Sequence, residues 1–220
     1  MPSILIIGAN RGIGLASAQL YHDHGWAVYG TYRTEPPAEF LGTALALDVG
    51  SAESIAAVTK QLDGVTFDIL WHNAGVFLDR EEKFGVLCHN TITQSFAINT
   101  VAPLILTQAL YHNVRKQGGT IAFTSSRMGS VTQASTANAY AYRASKAALN
   151  MIVKLLGQYT SSDGIKTVAL HPGWVRTDMG GASADIDVTT SVSGMKSVLE
   201  NPDPKDSGLF FNYDGSSIAW

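Results

Sequence analysis

The chain has 220 residues, 15% charged and 45% apolar, with a net charge of -3 at pH 7 and a pI near 6.0. So few charges, against roughly 25% in an average soluble domain, imply extensive burial, and the slight acidity excludes a broad cationic face for nucleic acid. The lone Cys88 excludes an intramolecular disulfide, and no apolar run reaches the ~18 residues of a membrane span, so a cytoplasmic chain with no membrane partner is expected.

Strand-like and helix-like segments alternate along the chain. Ser3–Ile7 is an apolar run that ends at Gly8 and predicts the first strand. Ile13, Leu15, Ala16, Ala18, Leu20 and Tyr21 then keep helical spacing to His24, where Gly25 ends the helix. Ala27–Tyr32 predicts a second strand, and residues 44–47 a third that ends at Asp48. Ser51 is placed to cap a helix running to about Leu62. Residues 67–71, Thr120–Thr124, 167–171 and Leu209–Asn212 predict the remaining strands, with long helical stretches near 91–115 and 139–159. Residues 180–193 are small and polar, and predict a short lid over an open mouth. The alternation implies an α/β fold: one Rossmann-like, doubly wound parallel sheet of about seven strands with helices on both faces. With no repeat and no dividing linker, residues 1–220 are expected to form a single domain.

In such a sheet, ligands sit at the carboxyl ends of the strands where strand order reverses. The first strand runs into Gly8-Ala9-Asn10-Arg11-Gly12-Ile13-Gly14, spaced G-x-x-x-G-x-G rather than G-x-G-x-x-G. Glycines permit a tight turn and close backbone approach, and the helix start aims unpaired N–H groups at a pyrophosphate. A ligand-free turn would read the same way, so the turn alone does not decide. The second strand ends in Thr31-Tyr32-Arg33-Thr34, without the carboxylate that NAD sites usually place there. Arg33, with Arg11 from the other side, is placed to grip a 2′-phosphate, so NADP(H) is expected over NAD(H). Solvated surface arginines are the alternative, and Glu35 is near enough to favour a ribose hydroxyl instead.

Tyr142 and Lys146 share one face of a predicted helix. An ammonium beside a phenol lowers its pKa from about 10 toward neutrality, which suits proton exchange with an alcohol or carbonyl. A surface tyrosine lying over a lysine stem is the bland alternative.

Order along the chain adds more. Gly8-x-x-x-Gly12-x-Gly14, Asn73-Ala74-Gly75, Asn99, Ser125-Ser126, Tyr142-x-x-x-Lys146 and Pro172-Gly173-x-x-x-Thr177 together resemble the short-chain dehydrogenase/reductase family, in family order over residues 3–179. Tyr-Ala-Tyr-Arg-Ala-Ser-Lys at 140–146, His-Pro-Gly-Trp-Val-Arg-Thr-Asp-Met-Gly-Gly at 171–181 and Asn-Tyr-Asp-Gly at 212–215 look most like the compact carbonyl reductases of the sniffer and C-factor type.

The resemblance implies that Tyr142 is the general acid in reduction, and that Lys146 lowers its pKa and binds the nicotinamide ribose. It implies that Ser126 polarises the substrate carbonyl and that Asn99 positions a water linking Lys146 to solvent. Cofactor contacts would come from Gly8, Asn10, Arg11, Gly12, Ile13, Gly14, Arg33, Asp48, Val49, Asn73, Ala74 and Gly75, and from Tyr142, Lys146, Pro172, Gly173, Val175 and Thr177. Asp48 would bind the adenine amine, while Val175 and Thr177 would hold the carboxamide.

The residues themselves leave alternatives open. Asn73 also suits a bridge between strands, Asp48 a turn before Ser51, and Asn99 an ordinary helix position. Strand alternation sends Ser125 and Ser126 to opposite sides; the resemblance favours Ser126. Ile7 stands where the family usually has Thr, which removes a hydroxyl contact. His72 replaces a more frequent Asn and reads as a packed strand-end residue; no spacing suggests a metal site. The gap from 126 to 142 is long, with 132–138 inserted.

The expected reaction is hydride transfer between NADP(H) and a carbonyl or alcohol, with apolar or aromatic aldehydes and ketones as substrates. Phe77, Met128, Tyr140, Trp174 and Met179 are the candidate pocket walls. The uncharged helices hold more apolar surface than the sheet need bury, and the resemblance implies that they pair with copies of themselves in a homodimer or homotetramer. The alternative is an NADP-binding signalling or regulatory protein with incidental catalysis; a methyltransferase would leave Tyr142, Lys146 and Thr177 unexplained.

Overall fold

The computed structural model describes residues 1–200 and 203–220. Seven strands, β1 (Ser3–Ile7), β2 (Ala27–Tyr32), β3 (Thr43–Ala46), β4 (Ile69–His72), β5 (Thr120–Thr124), β6 (Lys166–His171) and β7 (Leu209–Asn212), form one sheet in the order β3-β2-β1-β4-β5-β6-β7. Every neighbouring pair is parallel. The order reverses between β1 and β4, so a crevice opens beyond their carboxyl ends.

The strands are legible because helices cover both faces, which makes the buried ones continuous apolar runs. Alternate residues feed opposite layers. Leu5, Ile7, Leu70, Ile121 and Phe123 join one core with Val58, Leu106, Leu149 and Val153. Ile4, Ile6, Ile69, Trp71 and Ala122 join the other with Ala18, Tyr21, Val192 and Met195. The first layer is covered by α2 (Ala52–Gln61), α4 (Ala102–Leu110) and α5 (Tyr140–Thr160), the second by α1 (Gly12–Asp23) and α6 (Val188–Glu200). Ser51 caps α2 by accepting from the Ser54 amide at 3.2 Å.

Two predicted elements differ in the structure. The long helix near 91–115 is divided into α3 (His89–Phe96), a π turn over Ala97–Val101, α4 and a short 3₁₀ turn. More substantially, the stretch read as a polar lid contains the start of α6. Thr189, Thr190, Ser191 and Ser193 favour helix weakly, which hides it. Tertiary burial prevails: Val192, Met195 and Leu199 lie on one face and are buried against the sheet layer. Asp187 caps the helix by accepting from the Thr190 amide at 2.7 Å.

The apolar surplus expected of the uncharged helices is visible as exposed Val101, Leu104 and Ile105, and on α5 as Met151, Leu155 and Tyr159. Among the described residues, no helix is long and apolar enough to cross a membrane.

Candidate active site

The turn after β1 needs glycine for steric reasons that differ by position. Gly8 has φ +89°, and a Cβ there would lie 2.9 Å from Ala74. A Cβ on Gly14 would lie 2.0 Å from the Gly8 carbonyl oxygen and 2.6 Å from Asn73 Nδ2. At Gly12 the nearest neighbour is Thr177 Cγ2, 3.4 Å away, so the loop after β6 closes down on the turn. Helix α1 begins behind Arg11 with no side-chain cap and no acidic residue in its first turn. Its first amides are therefore available to an anion.

The hydroxyl lost at Ile7 is supplied from the next strand. Buried Thr31 accepts the Gly8 amide at Oγ1 (3.0 Å), and its carbonyl accepts the Ala9 amide (2.8 Å). Nothing in the chain marks Thr31 for this beyond its position on a strand beside β1. Arg33 is exposed at the end of β2 and, among the described residues, has no ion-pair partner. Arg11 pairs with Asp178 at 2.5 Å, tying the glycine turn to the loop after β6. Asp48 accepts from the Gly50 amide at 2.9 Å, shaping the turn that leads to Ser51. Asn73 bridges strands: its Nδ2 donates to Gly8 O (2.9 Å), and its Oδ1 accepts from Thr124 Oγ1 (3.2 Å).

Helix α5 carries Tyr142 and Lys146 inward, 8% and 3% exposed. Ser126, whose Oγ accepts the Met128 amide at 3.2 Å, acts on the Tyr142 phenol to lower its pKa, and the Phe77 ring stacks on the Tyr142 ring at 4.3 Å and 17°. Ser125 turns the other way: its hydroxyl donates to Asn150 Oδ1 at 2.6 Å inside the protein. Strand alternation thus leaves Ser126 as the serine at the phenol. Burial raises the Tyr142 pKa above its ordinary value, while the Ser126 bond and the Arg80 charge pull it down.

The ammonium of Lys146 stands 5.9 Å from the Tyr142 ring centroid and donates to Thr124 O at 2.7 Å. An i, i+4 relation sets which face two side chains share but not where a long lysine stem ends. Burial lowers Lys146 itself to about 8. A Cβ on Gly75 would lie 3.5 Å from Lys146 Nζ and 3.2 Å from Asn99 Oδ1, so the loop after β4 packs closely on both buried groups.

Asn99 sits buried in the π turn, a feature that often marks functional positions. Its amide clamps Val76, accepting from N and donating to O at 2.9 Å each, and donates to Ser145 Oγ at 3.0 Å. His72 is packed as expected: stacked on Phe123 at 4.7 Å, bonded to Thr107 Oγ1 at 2.9 Å, and held by burial to a pKa of about 3.

The far wall is the segment after β6. Gly173 turns with φ +85°, Pro172 O accepts from Ser191 Oγ (2.6 Å), and Thr177 Oγ1 accepts the Gly180 amide (3.1 Å). Val175 is buried, whereas Trp174 and Met179 are exposed at the rim. Of the other candidate wall residues, Met128 is half-buried, and Tyr140 meets the exposed Phe84 ring at 5.7 Å. The inserted stretch is anchored: Arg143 Nη2 donates to Thr136 Oγ1 (2.6 Å), and Thr132 Oγ1 to Trp220 O (2.6 Å).

Sequence reasoning missed two neighbours of Tyr142. Arg80 lies 4.8 Å over the Phe77 ring and donates to Met179 O, spanning from the β4 loop to the β6 loop. Asp79, fully buried, accepts the amides of Ala141 (2.7 Å) and Tyr142 (3.2 Å). One signal existed: Ala139 cannot cap α5 with its side chain, so the first amides needed an acceptor from elsewhere.

A model of the short chain dehydrogenase family matches residues 2–187. The C-signal protein of Myxococcus xanthus is 40% identical over 161 residues, 70% of this chain and 92% of that protein. An NADPH-bound carbonyl reductase from chicken fatty liver superposes with a TM-score of 0.90 at 33% identity, covering 100% of this chain and 99% of that one. The carbonyl reductase Sniffer of D. melanogaster has a TM-score of 0.90 at 28% identity, over 100% of both chains.

Proposed function

The chain belongs to the short chain dehydrogenase family of oxidoreductases, and from that premise we propose that it is an NADPH-dependent carbonyl reductase with Tyr142 as its general acid. The observation that carries this reading is Tyr142 buried on one face of α5 with Lys146, Phe77 from the loop after β4 stacked on its ring and the Lys146 ammonium held at the end of β5.

The residues present fit the cofactor. A cradle that a Cβ on Gly8 or Gly14 would fill, the uncapped start of α1 and the exposed guanidinium of Arg33 suit a pyrophosphate and a 2′-phosphate. Asn10, Ile13, Asp48 and Val49 would line the adenine half. Ala74, Gly75, Lys146, Gly173, Val175 and Thr177 would line the nicotinamide half. When bound, NADPH supplies the hydride for the carbonyl carbon.

Around it, Tyr142 gives its proton to the substrate oxygen, and Ser126 orients that oxygen while easing charge on the phenol. Lys146, buried and shifted toward neutrality, would restore the proton; Asn99 holds Val76, in the loop after β4 that borders it. The apolar rim of Phe77, Trp174 and Met179 favours apolar or aromatic aldehydes and ketones. The exposed apolar face of α4 and α5 is proposed to pair two copies.

NADPH oxidation over a panel of carbonyls tests the reading: turnover is expected, and Tyr142→Phe should abolish it while leaving NADPH binding intact. Similarity to C-signal supports a second reading, a cofactor-binding regulatory protein. There a cellular role would survive Tyr142→Phe and be lost in Arg33→Glu.

A further inference from the structure

Asp79 is fully buried, and among the described residues it takes part in no ion pair. Its carboxylate instead accepts two main-chain amides, those of Ala141 at 2.7 Å and Tyr142 at 3.2 Å. Both lie in the first turn of α5, whose own cap position, Ala139, has left-handed backbone (φ 52°) and no side-chain acceptor. A carboxylate at a helix start is favoured by the helix dipole and makes charge-assisted bonds. Water is a poor substitute here, because Ala139, Ala141 and Tyr142 are all buried.

The segment that carries Asp79 also grips Tyr142 by its ring. Asn99 clamps Val76 at both its amide and its carbonyl, and Phe77 stacks on the phenol at 4.3 Å. The strap therefore touches Tyr142 at side chain and main chain together. We propose that Asp79 is a positioning residue: by holding the Tyr142 amide it sets the depth of the phenol, so that the hydroxyl meets Ser126. This rests on Tyr142 being the proton donor. The other charged groups near the phenol, Lys146 on α5 and Arg80 on the strap, stay unchanged in the variants below.

The test uses the full chain with Asp79→Ala, Asp79→Asn and Tyr142→Phe, and NADPH as the binding probe. Rates are expressed per NADPH-binding site from fluorescence titration. In Asp79→Ala, kcat per site should fall about a hundredfold, the loss typical of a reacting group displaced by about 1 Å, with NADPH affinity unchanged. The fall in reduction rate at high pH should move alkaline, since the phenol moves away from Ser126, which lowers its pKa. Asp79→Asn keeps one acceptor and should recover part of the rate, leaving kcat several-fold below wild type. A merely structural role would lower the number of binding sites and leave kcat per site and the pH profile untouched; that result overturns the proposal. If Asp79→Ala does not fold, Asp79→Asn decides: a several-fold lower kcat with an alkaline shift supports positioning, and wild-type values refute it. Turnover surviving in Tyr142→Phe sinks the underlying reading. An inactive Tyr142→Phe beside a normal Asp79→Ala sinks only the role of Asp79.

Discussion

Gly14→Ala would place a methyl group 2.0 Å from the Gly8 carbonyl oxygen and 2.6 Å from Asn73 Nδ2, both fixed parts of the turn. Neither neighbour is the loose end of a flexible side chain, so α1 or the turn must shift. Overpacking of this kind costs about 1–3 kcal/mol. The Asn73 bond to Gly8 O, 2.9 Å long, is lost with it, at roughly 1 kcal/mol. Together these predict roughly 2–4 kcal/mol of destabilisation, a fall in Tm of about 4–16 °C for a chain this size. NADPH affinity should fall too, because the displaced amides are those aimed at the pyrophosphate. Gly12→Ala is the control. It meets only Thr177 Cγ2 at 3.4 Å, and its φ of +52° costs roughly 1–2 kcal/mol. Differential scanning calorimetry and fluorescence titration of both variants decide the matter. A Gly14→Ala protein as stable as Gly12→Ala, with unaltered NADPH affinity, would refute the argument from close packing.

Ser126→Ala should lower kcat about a hundredfold, as loss of a preorganised donor does, and move the alkaline limb of carbonyl reduction upward, as stopped-flow pH profiles would show. Arg33→Glu should weaken NADPH binding about tenfold or more, the value of a charged hydrogen bond, yet leave NADH affinity little changed; equal losses for the two cofactors would contradict the 2′-phosphate assignment. Buried His72 and half-buried His171, held neutral at about 3 and about 4, have folded pKa values below their unfolded one. Stability should therefore be full above about 6.5 and decline as pH falls toward 4. Urea midpoints at pH 7 and pH 5 should show the decline, with a smaller drop in His72→Asn. Leu155→Lys, on the exposed face of α5, should convert a dimer to monomers in light scattering; an unchanged mass would place the interface elsewhere.

The strands and the glycine turn were readable because their causes are local. A strand buried on both faces must be a continuous apolar run, as Ser3–Ile7 is, and a helix start needs its cap within three residues, as Ser51 shows. Family order then placed Tyr142 and Lys146, and the structure buries both on α5. Helix α6 escaped because Thr and Ser hide a helix whose stability lies in Val192, Met195 and Leu199 packing on a sheet built from distant residues.

The same holds at the site. The choice between Ser125 and Ser126 awaited the pleat and α5, and Thr31 could replace the hydroxyl absent at Ile7 only once β2 lay beside β1. Asp79 reaches Tyr142 across 63 positions, and Arg11 reaches Asp178 across 167. Periodicity and propensity act over a turn or two of chain. The direction in which a long side chain bonds, as Lys146 does to the Thr124 carbonyl, is set by which strands and loops the fold places next to each other.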